Sequence, residues 1–221
     1  MQAFIDVITL YALPVIFALT IPEAAQAFVA DKLGDRTARS MGRLTLNPGP
    51  HIDLVGTVLL PLGVILLAKL AGSIVPMILI GWAKPIPVDF RYLKNPKKAL
   101  LWISLANPVA NLGLAFMWAA LFKLGSLSPE SYFSSPMTQM AKIGILMNAA
   151  FAILMLIPIL PYPGGRIVIS LLPEHLAVRY AQHERWGNLI VLGLFITGLL
   201  GVILLPFIRA LVQFIALIFG L

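Results

Sequence analysis

The chain has 221 residues, of which 60% are hydrophobic, 11% are charged and none is cysteine. Soluble domains are about one-quarter charged, so this composition excludes an ordinary soluble domain and predicts a multi-pass membrane protein. The absence of cysteine excludes disulfides and thiolate metal sites. The net charge is +7, and the basic residues flank apolar runs. This arrangement suits anionic lipid head groups, so we expect the lipid bilayer as a partner and no nucleic acid.

Five apolar stretches are candidates for membrane segments, since a spanning helix needs about 20 mostly apolar residues. They cover residues 4–30, 54–82, 99–124, 140–157 and 189–221. The first has no basic region before it and no cleavage site, so it predicts a retained span rather than a signal peptide. Pro14 and Pro22 predict a bend within it. Asp53 is a candidate N-cap for the second stretch.

The last stretch is too long for one perpendicular crossing of the bilayer. Pro206 and Arg209 are the residues expected to split or tilt it. We expect a single integral membrane domain over residues 1–221, with a C-terminal membrane segment at 187–221.

Two basic, turn-rich segments lie at residues 31–53 and 83–98. The positive-inside rule places both on the cytoplasmic side of the membrane. A single crossing by residues 54–82 would put them on opposite sides, so the rule and a single crossing conflict. The break near Gly72 and Pro76 favours a stretch that folds back on itself.

Two short pieces of the basic segments are predicted to be extended, at residues 42–46 and 84–88. The second alternates prolines, so it suits only an edge strand. An edge strand is a place where an unfolded peptide adds itself by backbone hydrogen bonding. The alternative is a solvated interfacial loop. The candidate substrate-groove residues of this piece are Lys84, Pro85, Ile86, Pro87 and Val88.

Six short motifs follow one another along the chain. They read AFVADKLGD at 27–35, GRLTLNP at 42–48, HIDLVGT at 51–57, GWAKPIPV at 81–88, ANPVAN at 106–111 and PILPYPGGR at 158–166. In this order they resemble the site-2 protease family of intramembrane zinc metalloproteases, in the short bacterial form without a peptide-binding domain. The resemblance implies an all-α multi-pass membrane protein with a site-2-protease-like core at about 4–172 and short interfacial β-strands. It also implies residence in a bacterial cytoplasmic membrane.

The resemblance further implies where a zinc site would lie. In the family, two histidines four residues apart on one helix bind zinc, and the glutamate beside the first activates the bound water. A third ligand is an aspartate before a Gly-Gly pair. Here Pro22 and Gln26 occupy the histidine positions and Pro163 occupies the aspartate position, whereas Glu23 keeps the general-base position. Proline has no ligand atom and an amide oxygen is a poor zinc donor, so we expect no zinc cofactor.

An alternative places the metal on other residues. His51 and Asp53 are the candidate ligands, with Glu23 as a third. The competing interpretation is that His51 only satisfies the backbone of its own loop.

An ionisable residue at membrane depth is costly, so Glu23 is expected either to be protonated or to pair with a polar neighbour such as Gln26 or Asn111. Asn107 and Asn111 are candidate groove residues. The competing interpretation is hydrogen bonding between helices.

Three functions remain open at this point. The first is a catalytically inactive site-2-protease homologue, a pseudoprotease that binds transmembrane segments of single-span partner proteins. The second is an active intramembrane zinc metalloprotease with relocated ligands, and the third is a small membrane carrier that uses Glu23. The sequence indicates no particular oligomeric state.

Overall fold

The computed structural model describes residues 2–70, 81–127 and 129–221. Within these ranges the chain is all α-helical, with nine α-helices and no β-strand. The helices are α1 (Gln2–Lys32), α2 (Thr37–Ser40), α3 (Leu60–Leu70), α4 (Pro96–Ser126), α5 (Ser134–Met155), α6 (Pro163–Leu171), α7 (Glu174–Ala181), α8 (Glu184–Ile196) and α9 (Leu199–Phe219). A π-helical turn, Leu54–Leu59, leads directly into α3.

Three long helices form the centre of the bundle. α4 and α5 pack together most extensively, and α1 lies against both. Small residues allow the close approach, as is usual between membrane helices. Gly144 on α5 faces the ring of Trp118 on α4, and a Cβ atom at this glycine would overlap the ring. The buried alanines at this contact are Ala115, Ala119 and Ala141.

Contacts at the helix ends fix the helix directions. Ala30, near the end of α1, packs with Ala99, near the start of α4. α1 and α4 are therefore antiparallel. The Lys123 ammonium near the end of α4 donates to the Gly220 carbonyl oxygen just after α9, at 3.2 Å. α9 therefore ends on the same side of the bundle as α4.

Four helices of the described residues are long and apolar enough to cross a membrane: Thr9–Lys32, Pro96–Ser126, Ser134–Met155 and Leu199–Phe219. The prediction of an all-α multi-pass membrane protein is confirmed. Pro14 and Pro22 both lie inside α1, which continues through them.

The last apolar stretch is divided, but not where the sequence suggested. Pro206 lies inside the continuous helix α9. The break falls at Gly198, whose φ of 74° is left-handed and ends the preceding helix. A glycine in this conformation interrupts the helix more completely than a proline that membrane neighbours tolerate.

The described ends of the stretch at residues 54–82 lie side by side. The backbone N–H of Trp82 donates to the Gly56 carbonyl at 3.2 Å, and that of Lys84 donates to the His51 carbonyl at 2.8 Å. The Thr57 hydroxyl donates to the Trp82 carbonyl at 2.8 Å. Because the two ends of the stretch are bonded side by side, both basic segments lie at the same end of the helix bundle, which is the arrangement that the positive-inside rule requires. The break proposed near Gly72 and Pro76 lies outside the described residues.

The two predicted interfacial strands are wrong: neither 42–46 nor 84–88 forms a β-ladder in the described structure. Pro85 and Pro87 have no N–H to donate to a neighbouring strand. The bonded backbone groups of residues 84–88 have the side chains of Glu23 and Arg43 and the His51 carbonyl as partners. These residues are therefore not paired with a neighbouring strand.

Candidate functional site

Glu23 lies at the centre of a polar cluster on α1. Its Oε2 atom accepts a hydrogen bond from the backbone N–H of Ile86 at 3.1 Å. Its Oε1 atom accepts from the Gln26 amide at 3.2 Å and from the Asn107 amide at 3.4 Å. Both carboxylate oxygens are therefore in use. The expected pairing with Gln26 is confirmed, but the second amide is that of Asn107 rather than Asn111.

Asn111 extends the cluster along α4. Its amide donates to the Asn107 Oδ1 atom at 3.4 Å, one helical turn away. Both side chains are buried, with 5% and 1% of their surfaces exposed for Asn107 and Asn111. These two asparagines connect α4 to Glu23 by a chain of hydrogen bonds, as expected of polar side chains between membrane helices.

Arg43 holds the same piece of chain that Glu23 binds. Its guanidinium donates to the carbonyl oxygens of both Lys84 and Pro85. The side chain is 5% exposed although it belongs to a loop. Burial lowers the pKa of the Arg43 guanidinium, and the Glu23 carboxylate partly offsets this effect. Glu23 and Arg43 therefore both bind residues 84–86. Glu23 accepts from the Ile86 N–H, and Arg43 donates to the carbonyl oxygens of Lys84 and Pro85.

Asp35 fixes the far end of the same piece. Its Oδ2 atom accepts from the Asp89 N–H at 2.9 Å, and its Oδ1 atom accepts from the Thr37 N–H at 2.9 Å. The side chain is fully buried. Together with the bonds of Trp82 to Gly56 and of Lys84 to His51, this contact ties both ends of residues 82–89 to residues 35–56. We refer to residues 82–89 as the tethered segment.

His51 and Asp53, the candidates for a relocated metal site, have local backbone partners instead. The His51 Nε2 atom lies 3.0 Å from the Thr45 carbonyl oxygen. Asp53 caps the following turn, since its Oδ1 atom accepts from the N–H groups of Val55 and Gly56 at 3.0 and 2.7 Å. The N-cap prediction for Asp53 is confirmed. The contact of His51 with Thr45 agrees with the loop-backbone interpretation, and its Nδ1 atom has no hydrogen-bond partner. Burial lowers the pKa of His51, and the nearby Arg43 charge adds to this.

Pro163 is the first residue of α6 and is buried with the two glycines that follow it. A Cβ atom on Gly164 or Gly165 would collide with backbone atoms of residues 156–160. The start of α6 is therefore packed closely on the chain that precedes it. α6 also packs against α4, the helix that carries Asn107 of the polar cluster.

The residues at this site do not fit a zinc ion. Pro22 and Pro163 offer no donor atom, and Gln26 offers only a neutral amide whose nitrogen is already bonded to Glu23. Structural zinc sites use tetrahedral sets of thiolate, imidazole or carboxylate donors. Within the described ranges, no three His, Asp or Glu side chains lie together in a way that suits a metal. The residues present form hydrogen bonds within the protein instead. We refer to Glu23, Arg43 and the backbone groups of residues 84–86 that they bind as the clamp.

An apolar cavity of about 210 Å³ lies beside the clamp, between α1 and the stretch that folds back. At one end its lining residue Thr57 is bonded to Trp82 of the tethered segment, and the cavity extends along α1. Its walls are almost entirely hydrocarbon. The lining residues are Tyr11, Ala12, Val15, Ile16, Ile52, Thr57, Val58, Pro61, Leu62 and Ile65.

Two bacterial proteins are similar to this chain over most of its length. A Bacillus subtilis protein named "Putative zinc metalloprotease YwhC" is 37% identical over 198 residues, which are 88% of this chain and 84% of that protein. A Mycolicibacterium smegmatis protein named "Putative zinc metalloprotease Rip2" is 30% identical over 186 residues, 82% of this chain and 64% of that protein. No family profile matches the chain, and no solved structure is significantly similar to it.

The fold and the site define a multi-pass helical membrane protein with a polar cluster between its membrane-spanning helices. The chain belongs to the site-2 protease family, whose relatives named here are putative zinc metalloproteases.

The structure brings together Glu23, Gln26, Asn107 and residues 84–86 of the predicted site, and it keeps Asn111 one step away. Sequence reasoning missed Arg43 and Asp35. An Asx-turn pattern, Asp followed two residues later by Thr, was a signal for Asp35. Arg43 had none, because an arginine in a basic loop is ordinarily exposed.

Proposed function

We propose that this protein is a catalytically inactive site-2-protease homologue of the bacterial cytoplasmic membrane. It binds a transmembrane segment of a single-span partner protein without cutting it. The observation that supports this most directly is the occupation of both Glu23 carboxylate oxygens by Ile86, Gln26 and Asn107. A general base must be free to take a proton from water, and here the carboxylate serves as a hydrogen-bond acceptor for the protein itself.

The ligand positions support the same conclusion. Pro22, Gln26 and Pro163 supply no imidazole and no carboxylate. Zinc binds to thiolate, neutral imidazole or carboxylate groups, and the affinity for zinc is lost when all of these ligands are absent. Proteolysis by the family mechanism therefore has no metal-bound water on which to act.

The apolar cavity supports the binding half of the proposal. It lies between α1 and residues 52–65, and it is not fully enclosed. A cavity of about 210 Å³ admits a few large side chains, not a whole helix. Several projecting leucine or phenylalanine side chains of a partner helix would fill it, with dispersion contacts replacing those to lipid.

A peptide would add poorly to the tethered segment itself. Residues 85 and 87 are prolines and present no N–H at the edge. The N–H groups of Lys84 and Ile86 are already bonded to His51 and Glu23. The partner is therefore recognised in the apolar cavity and not by backbone pairing.

The first test is the zinc content of the detergent-purified chain after dialysis, measured by elemental mass spectrometry. We expect no zinc above the buffer level. The same preparation, reconstituted with single-span substrates, is expected to release no fragments. Stoichiometric zinc that is lost in a His51→Ala variant would reveal a relocated site, and chelator-sensitive cleavage abolished by Glu23→Gln would overturn the proposal.

Binding is tested with a photo-crosslinking amino acid placed at Leu62, in the cavity wall. The matched control carries the same group at Val202 on α9, which is 69% exposed and faces away from the bundle core. We expect a single-span membrane protein to be crosslinked from Leu62 and not from Val202. Equal crosslinking from both positions would mean non-specific contact within the bilayer and no groove.

A further inference from the structure

A basic cleft of about 640 Å³ opens where α1 ends and α4 begins. It lies on the side of the membrane that holds both basic segments, away from the Glu23 clamp. Lys32 is the last residue of α1, and Asn95 is the N-cap of α4. The complete lining is Lys32, Leu33, Gly34, Lys94, Asn95, Lys98, Ala99 and Trp102, which includes three ammonium groups and no carboxylate.

The three lysines of this cleft share it with no acidic side chain. In the part of the chain that the structure describes, neither Lys32, Lys94 nor Lys98 forms an ion pair or a side-chain hydrogen bond. The adjacent Asp31 attracts Lys32 electrostatically, but its close ion pair is with Arg39, at 2.6 Å. Lys97 precedes Lys98 in sequence but does not line the cleft. Its ammonium donates to the Leu172 carbonyl instead.

The electrostatic setting concentrates positive potential in the cleft. α4 begins here without an acidic residue in its first turn. The positive end of its helix dipole therefore adds to the charges of Lys94 and Lys98. Three cations that line one cleft, with no carboxylate among its lining residues, attract a ligand that carries phosphate charge.

The membrane-facing wall of the cleft is apolar. Trp102 lies one helical turn beyond Lys98 and is 50% exposed. Tryptophan side chains prefer the depth of the lipid head groups, where the ring is partly in hydrocarbon and partly wet. Leu33 and Ala99 complete this wall. The ligand therefore needs an anionic head next to an apolar body.

We propose that this cleft binds the head group of an anionic phospholipid. The phosphate lies among Lys32, Lys94 and Lys98, and the glycerol and the upper acyl chain lie against Trp102. A lipid suits the cleft better than a free phosphate ion, because the cleft opens between two spanning helices and its lower wall is a tryptophan. Basic pockets of this kind between membrane helices are typical of anionic lipid sites.

The test is a lipid titration of the full chain by native mass spectrometry, with phosphatidylglycerol and phosphatidylcholine as competing probes. We expect preferential retention of phosphatidylglycerol. The double variant Lys94→Gln/Lys98→Gln should weaken that binding by roughly thirty-fold, given the contribution of each basic residue near an anionic surface. The double variant Lys94→Arg/Lys98→Arg should retain it.

The matched control removes the same charge elsewhere. Arg179 and Arg185 are exposed residues outside the cleft, and the Arg179→Gln/Arg185→Gln variant should bind phosphatidylglycerol as the wild type does. An equal loss in this control would mean general attraction by net charge and would overturn the site.

Two further arms keep the proposal open to refutation if the glutamine variant does not fold. Inorganic phosphate should fail to displace phosphatidylglycerol. Trp102→Ala should weaken the binding of phosphatidylglycerol while leaving any binding of inorganic phosphate unchanged. Displacement by phosphate, or no effect of Trp102→Ala, would show that the cleft takes a free anion and would overturn the assignment to a lipid.

Discussion

The Glu23 carboxylate and the Ile86 backbone N–H are hydrogen-bonded at 3.1 Å, although they lie 63 residues apart in the chain. The bond joins a spanning helix to the segment that returns after the fold-back. It assigns a structural task to the side chain that a zinc protease uses for chemistry. The first prediction follows from this change of task.

Glu23→Ala should destabilise the protein, because Ile86, Gln26 and Asn107 then lose their acceptor. A buried polar group left without a partner costs about 1–3 kcal/mol. Glu23→Gln should cost much less, since its oxygen still accepts from Ile86 and the neighbouring amides turn to match. Thermal unfolding in detergent and hydrogen exchange of residues 82–90 would measure the difference. Equal stability of the two variants would argue against the clamp.

Arg43→Lys should also loosen the tethered segment. A guanidinium spans the Lys84 and Pro85 carbonyls with two donors in a fixed plane, whereas an ammonium is a point charge that does not reproduce this fork. We expect a loss of about 1–2 kcal/mol in the free energy of unfolding. Arg39→Lys is the control, because the exposed Arg39–Asp31 pair contributes little. A similar loss in both variants would contradict the role of Arg43.

Restoring the family ligands should restore metal binding. The triple variant Pro22→His/Gln26→His/Pro163→Asp places two imidazoles on one face of α1 and a carboxylate at the start of α6. We expect this variant to hold stoichiometric zinc after dialysis, and the corresponding triple alanine variant to hold none. Absence of zinc from a folded histidine variant would mean that the clamp at Glu23 prevents the site from forming.

His51 should make the protein less stable in acid. Burial lowers its pKa below the usual value of about 6.5, so the unfolded chain binds the proton more readily than the folded chain. The contribution of neutral His51 to the free energy of unfolding is therefore fully present above about pH 6.5 and falls as the pH drops below that value. Protonation would also place an unpartnered N–H at Nδ1 in a buried position. His51→Gln, which does not titrate here, should lose this part of the pH dependence in thermal unfolding measured from pH 8 to pH 5.

The sequence predicted the features of this fold that depend on local pattern. Apolar runs of sufficient length located the spanning helices, and Asp53 was identified as an N-cap from the residues that follow it. The fold-back at 54–82 was inferred from the two basic segments, which the positive-inside rule places on one side of the membrane, and from the break near Gly72 and Pro76. Each of these inferences uses information within a few residues or a general bias of composition.

The missed features depend on contacts between distant residues. The bonds of Arg43 to residues 84 and 85 span more than forty positions, and nothing near Arg43 marks it as buried. The same bonds explain why extended residues 84–88 did not become a strand, because side chains satisfied their polar groups first. The break at Gly198 was missed because proline is the stronger breaker in soluble helices, whereas membrane helices tolerate it.

The fold-back also sets the sidedness of the whole chain. With both ends of residues 54–82 at the same end of the bundle, the four long apolar helices of the described residues are the candidates for the crossings. Four crossings would bring residues 1 and 221 to one side of the membrane, opposite the basic loops. A reporter enzyme fused after residue 221 and one fused before residue 1 would therefore give the same signal, and neither would share a compartment with the lysine cleft.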